Sequence, residues 1–437
     1  MRRKITAWMA FMTAAALTLA LSACQSALPG IRQEAESNLS GTLRVALFGG
    51  NESKEVKPYK AGYKDHPIQD RMEAFMAQHP QVEIEVLDLI SGYGSPNLLT
   101  LDALLERAGE LRPDIIEMTP AEASFLARDQ IVALTDRIEE HSWAWSGAYL
   151  QVIARMATDG ELYLLPVRSD PLLMYYDRNA LRMYGLEEPR ERWTMAEFVE
   201  LARTLVDAGA EVLLTPELET AQPFIEMLGG SFPDQHGAAT GVLDSDANAA
   251  ALAAWLNAVP AEAMYSNPYL MEYESPALGL AWASRLYKAV RSAAGDYAIA
   301  PLPSAADGSR RNIALMTGLA IHKDSPNQDL AWELLKFIAG GSSDEAMHFL
   351  ADNTLQQYRT GYRNEPVPKD EGLKQWLMRE AAVARPVGLA RFLSTWGAYG
   401  ASYPSLFLAD KRDWNQEELK RQLGEWARQI DAYAYSP

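Results

Sequence analysis

One cysteine stands in 437 residues, and it is Cys24. An internal disulfide is therefore impossible. Histidine is almost as scarce, with six in the chain, so a zinc-type centre has few candidate ligands. His-Glu-x-x-His, Gly-x-Ser-x-Gly and P-loop patterns are all missing, and with them the motif-level signs of catalysis. Neither a metal nor a cofactor is expected. After the first two dozen residues no apolar run is long enough to span a bilayer. Basic residues are in deficit: 40 Lys and Arg against 58 Asp and Glu leave a formal charge of −18. Such a surface repels polyanions, so nucleic acid is not an expected partner. No segment repeats at a fixed period.

What is present begins with the N-terminus. Arg2, Arg3 and Lys4 precede an apolar run that ends in Leu21-Ser22-Ala23-Cys24. The charged start and short core argue against a stop-transfer helix. Small residues before a single cysteine resemble a bacterial lipoprotein signal, cleaved before Cys24. Residues 1–24 are then a signal peptide, and Cys24 carries the lipid (palmitate among its chains). One acyl chain binds a membrane only marginally, so a multi-chain lipid is required. Residues 25–40 read as a flexible tether. The rest is long enough for two or more domains.

Strands and helices alternate from there. Leu43 to Phe48 reads as a strand, 68–78 as a helix with Met72, Phe75 and Met76 on one face, and Val82-Ile84-Val86 as a half-exposed strand. A helix over 98–111, a strand over Ile115–Met118, a helix over 121–129 and a strand-like Ile131–Leu134 follow. This alternation implies parallel sheet units. Further on, Thr194 and Glu197 make a capping box. Asp244, Asp246 and Asn248 have calcium-loop spacing, but Ala249 and Trp255 stand where glycine and glutamate are needed. Capping of helix 247–258 by Asp244 or Ser245 is the better reading.

The organising stretch is 159–177. Leu162–Val167 and Leu172–Tyr176 read as strands on either side of Val167-Arg168-Ser169-Asp170, with Pro166 and Pro171 flanking. Proline removes a ladder donor, so neither strand is expected to run unbroken through this segment. A stiff crossing suits passage between two lobes. Gly160, Tyr163, Pro166, Tyr176 and Asp177 also fall at the spacing of a family signature. The chain resembles the extracellular solute-binding proteins of ABC importers, the maltose-binding class. Leu228-Gly229-Gly230, Tyr297–Pro303, Gly318–Ile321 and Ala331–Ile338 resemble further elements of that family, over about 41–437. Arg168 and Leu173 depart from it, since small residues are usual there, and so does Met183, where a polar residue is usual. The usual Gly-Lys-x-Ala-Met segment is here Gly279-Leu280-Ala281-Trp282.

The resemblance implies an α/β, two-lobe periplasmic-binding-protein fold (type II) with crossings at 166–171, about 281–283 and 318–321. Lobe one takes 41–166 plus 283–318, and lobe two takes 168–281 plus 321–437. The implied function is capture of a carbohydrate, an oligosaccharide first of all, for an ABC permease and its cytoplasmic ATPase. The protein is expected to be a monomer, not an enzyme, and to be anchored outside the cell membrane through Cys24.

Sugars need flat aromatic platforms ringed by acidic and amide groups. Tyr93, Glu117, Asp170, Trp282, Tyr287 and Trp396 lie at loops or crossings and qualify. Trp143, Trp145, Trp255 and Trp332 sit in periodic apolar patterns and read as core. Trp396 is open to both readings, because Leu389, Phe392 and Leu393 share its helical face. Arg168 and Asp170 are candidates either for a mutual bridge or for ligand contact. By resemblance, Gly49, Asn51, Met118, Asp170, Glu217 and Trp396 line the cleft. Two alternatives stay open. One is a sensor lipoprotein presenting ligand to a receptor. The other is an anchored polysaccharide-degrading enzyme using Asp170 with Glu117 as its carboxylate pair.

Overall fold

The computed structural model describes residues 39–48, 58–59, 68–90, 112–126, 129–214, 218–233, 238–263, 276–284, 286, 296–340, 344–356, 371–387 and 415–434. The first part contains β1 (Ser40–Phe48), β2 (Pro58–Tyr59), α1 (Gln69–Gln78), β3 (Gln81–Ile90), β4 (Ile115–Met118), α2 (Pro120–Leu126), α3 (Thr135–His141) and α4 (Gly147–Arg155). The middle contains β5 (Leu165–Asp177), α5 (Arg178–Met183), α6 (Met195–Asp207), β6 (Val212–Leu213), α7 (Leu218–Met227), α8 (Asp246–Ala258), β7 (Leu278–Trp282) and β8 (Tyr297–Ala300). Then come β9 (Ile313–Ile321), α9 (Gln328–Ala339), α10 (Glu345–Gln356), α11 (Glu371–Val383), β10 (Arg385–Pro386) and α12 (Gln416–Ala434).

The strands form one sheet in the order β2-β3-β1-β4-β9-β5-β7-β6, with β10 beside β9 and β8 beside β5. β1 pairs in parallel with β3 and β4, as alternating strands and helices require. The core has two main bodies. In the first, Leu43, Val45, Ile115, Tyr149, Leu165, Val167, Leu319 and Ile321 pack with α9 and α10 through Trp332, Leu335, Phe349 and Leu350. In the second, Leu172, Met174 and Tyr176 pack with Phe198, Phe224, Trp255 and Trp426. The rings of Phe224 and Trp255 stack there with centroids 4.1 Å apart. A smaller cluster joins Met118, Met156, Leu164, Met316 and Ala384.

β5 passes from one body to the other. Leu165 to Pro171 pair with β9, and from Leu172 onward the strand pairs with β7 and β8. The expected interruption at Pro166 and Pro171 is absent, and β5 is one strand. The prolines fit because each falls where the ladder needs no donor. Pro166 stands at a register irregularity, and Pro171 is the last residue paired with β9.

Two of the expected boundaries do not hold. β8 lies with β7 along the second half of β5, and Ala298, Ala300 and Leu302 belong to the second core, so no crossing occurs at 281–283. The return is made by β9, from Ile313 in the second core to Leu319 in the first. α9 and α10 pack in the first core, although 321–437 was expected in the second lobe. The chain passes back through Ala381 in the first core and Val387 in the second.

Smaller differences have local causes. Ile131 makes only an isolated bridge to His322 rather than a strand. α2 is described over Pro120–Leu126, and residues 127–128 of the expected helix lie outside the described residues. Trp145, Trp255 and Trp332 are buried, but Trp143 is 79% exposed. It lies in a 3-10 turn over 142–144 that faces it outward, where helical periodicity no longer applies. The helix expected over 98–111 lies outside the described residues. Ser245 caps α8 by accepting from Asn248 N, as capping rather than calcium binding requires. Buried Asn248 itself donates to the carbonyls of Ser231, Val242 and Leu243.

Candidate functional site

The site is built where β4 ends and β5 crosses. β4 reads Ile-Ile-Glu-Met, and its one charged residue, Glu117, is 1% exposed. A carboxylate so placed needs strong partners. Arg168 Nη2 donates to Glu117 Oε1 at 3.1 Å, and Thr317 Oγ1 donates to the same oxygen at 2.7 Å. The pairing register makes this possible, because Arg168 stands opposite Thr317 and Glu117 opposite Leu319. Three adjacent strands thus share one buried ionic group.

Asp170, two residues on, is 3% exposed and accepts from Ser284 N at 2.9 Å and from the Ser284 hydroxyl. The backbone of the crossing is held by side chains as well. Asn353 Nδ2 donates to Val167 O, Thr354 Oγ1 to Ser169 O, and Asn312 Nδ2 to Leu172 O at 2.9 Å. Tyr149 Oη donates to Pro166 O at 2.8 Å.

The C-terminal end of β4 opens α2 with a reciprocal cap. Thr119 N and Oγ1 donate to Glu122 Oε2, and Glu122 N donates back to Thr119 Oγ1. Burial raises the pKa of Glu122, the Thr119 bonds oppose this, and the nearby Glu117 charge adds to it. Loops after parallel strands are where α/β sheets hold ligands, so this corner and the crossing face the same candidate region.

The structure brings four sequence candidates to this junction, all of them buried. Glu117 and Asp170 are bonded as above. Met118 packs with Ile131, Met156 and Tyr163. Trp282 stands opposite Leu172 and packs in the second core with Trp193, so its ring is a core ring here and not an open platform. Of the two readings for Arg168 and Asp170, the mutual bridge does not form: Arg168 pairs with Glu117, and Asp170 bonds Ser284. Gly49, Asn51, Tyr93, Glu217, Tyr287, Trp396 and Cys24 lie outside the described residues.

Sequence reasoning missed Thr317, Ser284, Asn312, Asn353 and Thr354. The signal available was an isolated polar residue in an apolar run, as Thr317 is within Ile313–Ile321, since such a residue needs a buried partner.

As chemistry, the junction is a set of internal hydrogen bonds, in which Arg168 Nε, Ser169 Oγ and Asn353 Oδ1 have no partner among the described residues. A glycosidase pair needs one carboxyl free to donate and the other free to attack. Glu117 is bound to Arg168 and Thr317, and Asp170 to Ser284. Among the described residues, no group of three His, Cys, Asp or Glu side chains is arranged to hold a metal ion.

Comparison with known proteins bears on the same region. The family model described as bacterial extracellular solute-binding protein matches residues 61–340. Among solved structures, the fold is similar to the maltose-bound MalE3 of T. maritima, at TM-score 0.58 and 18% identity over 89% of this chain and 99% of that one. It is similar to the GacH receptor of Streptomyces glaucescens, solved free and with acarbose, at TM-score 0.59 and 17% identity over 90% and 98%. It is also similar to UgpB of Mycobacterium tuberculosis in complex with glycerophosphocholine, at TM-score 0.58 and 18% identity over 90% and 99%.

Proposed function

Because the chain belongs to the bacterial extracellular solute-binding proteins, we propose that it captures a carbohydrate between two lobes and delivers it to an ABC permease. An oligosaccharide is the first choice, since acarbose and maltose fill relatives of the same fold. The observation that carries the reading is β5, one strand whose first half packs in one core and whose second half packs in the other. A ligand held beside such a strand touches both bodies, and their closure buries it. Gly49, Asn51, Glu217 and Trp396 are the proposed contacts, with Tyr93 and Tyr287 as further aromatic candidates; Asp170, buried and bonded to Ser284, is set aside.

A thermal-shift screen against a sugar library tests this reading. A ligand at 100 times its Kd adds about 2.7 kcal/mol to stability, so an oligosaccharide is expected to raise the melting temperature. No shift with any sugar, alongside a shift with a phosphodiester such as glycerophosphocholine, would overturn the carbohydrate assignment. Within this reading the protein acts outside the cytoplasm as a monomer, anchored by lipid on Cys24. Cys24→Ser is expected to release it from cells, and mass spectrometry of an unmodified wild-type Cys24 inside a longer chain would refute the anchor.

A further inference from the structure

The partners of each residue in the crossing show where control passes from one body to the other. Pro166 O is bonded by Tyr149 of the first core, and Val167 O and Ser169 O by α10, which packs in that core through Phe349 and Leu350 and, through Ala351 and Leu355, with Leu173 and Tyr175 of the second half of β5. Arg168 is bonded by Glu117, on the strand that contributes Ile115 to the first core. From Asp170 on, the partners change. Asp170 takes Ser284, which follows β7, and Leu172 O takes Asn312, which precedes Ile313 of the second core. The bonding segments therefore change between Ser169 and Asp170, with α10 touching both halves of β5.

β9 repeats this in register. Thr317 is tied to Glu117, Ile313 packs in the second core, and Met316 and Leu315 stand opposite Ser169 and Asp170. One group acts on both strands: Glu117 Oε1 receives Arg168 from β5 and Thr317 from β9. Arginine suits this position because its planar guanidinium stays charged when buried and presents donors in a fixed fork. Arg168 is 5% exposed.

We infer that Arg168 is a positioning residue for ligand capture: through Glu117 it fastens both crossing strands to the first core and confines lobe motion to residues 169–171 and 314–316. The inference rests on the solute-capture reading above. A buried pair is a poor source of stability, since desolvation offsets its attraction, and apolar replacements of similar volume are often neutral. A pair retained for stability alone and a pair retained to set a pivot thus respond differently to replacement.

Hydrogen exchange of the full chain without ligand separates the two roles. In the double variant Glu117→Gln with Arg168→Met, charge is removed while volume is kept. Amides in 163–171 and 313–320 are expected to exchange about tenfold faster or more, while those of α6 and the melting temperature hold. Arg168→Lys, which keeps a charge for Glu117, is expected to recover part of the protection. Unchanged exchange at the crossing, or an equal rise throughout the protein, would overturn the inference. A second arm uses an oligosaccharide that stabilises the wild-type protein in the thermal-shift screen, with its Kd expected to weaken about tenfold in the double variant. An unaltered Kd counts against the positioning role. If no sugar stabilises the wild type, the carbohydrate reading fails by itself, and the exchange arm alone decides Arg168.

Discussion

At the scale of single residues, three side chains make measurable claims. Tyr149 is wholly buried, burial pushes its phenol far above the ordinary range, and its hydroxyl serves Pro166 O. Tyr149→Phe strands that carbonyl and is expected to cost about 1–3 kcal/mol in a denaturant melt. His322 accepts from Asp324 N through Nδ1 at 3.2 Å. Burial lowers its pKa below the ordinary 6.5, with Arg112 assisting and Asp324 and Asp114 opposing. A histidine whose folded pKa is depressed is held neutral, so its contribution is complete above pH 6.5 and is lost as pH falls below it. His322→Asn keeps an acceptor that does not titrate. The stability difference between wild type and variant, followed by melts from pH 7.5 to 5, is expected to move against the wild type over that interval. Glu122 has the opposite sign. Its carboxyl is raised above 4.5, so the ionised form is the disfavoured one in the fold and the penalty is present at neutral pH. Glu122→Gln keeps the cap to Thr119 and is expected to raise the melting temperature at pH 7.5, with the gain shrinking as pH falls toward 4.

At the scale of elements, capping and close packing decide. The Thr194–Glu197 box at the head of α6 is formed in both directions. It was legible because all its parts lie within one turn. Thr194→Ala is expected to cost about 1 kcal/mol, measured by the same melt. In the β5–β7 pair, Gly279 stands directly opposite Tyr175. A Cβ at Gly279 would lie 2.3 Å from Cζ of Tyr175, whose ring is fully buried. Gly279→Ala is therefore expected to destabilise by about 1–3 kcal/mol. Here sequence reasoning registered Gly279 only as the glycine that opens a segment departing from the family pattern after it. The need for glycine comes from a strand more than a hundred positions away, which no local pattern reports.

At the scale of the molecule, two bodies joined by β5, β9 and the 381–387 passage predict a hinge. Solution scattering with a sugar that stabilises the protein is expected to give a smaller radius of gyration than without it, at unchanged secondary structure. An unchanged radius at saturation would count against closure. The elements of both bodies were largely legible, since apolar periodicity and turn residues are local signals. Their assignment to one body or the other was not. β8 was expected beyond a crossing, yet it lies along β5 on the same side as β7, because strand neighbours are chosen by pairing and not by chain order.

By itself the sequence determined the alternation of strands and helices, the family signature at Gly160, Tyr163, Pro166, Tyr176 and Asp177, and the cap at Thr194, while it left Asp244 or Ser245 for α8. These depend on neighbours a few residues apart, where backbone geometry and side-chain reach act directly. Tertiary structure decided that the prolines of the crossing sit inside one strand, that Arg168 answers Glu117 and not Asp170, and that Trp282 is core while Trp143 is exposed. Each of these is set by which distant segment removes water from the residue. A buried charge takes the partner that the strand register presents, and for Arg168 that partner lies 51 positions away.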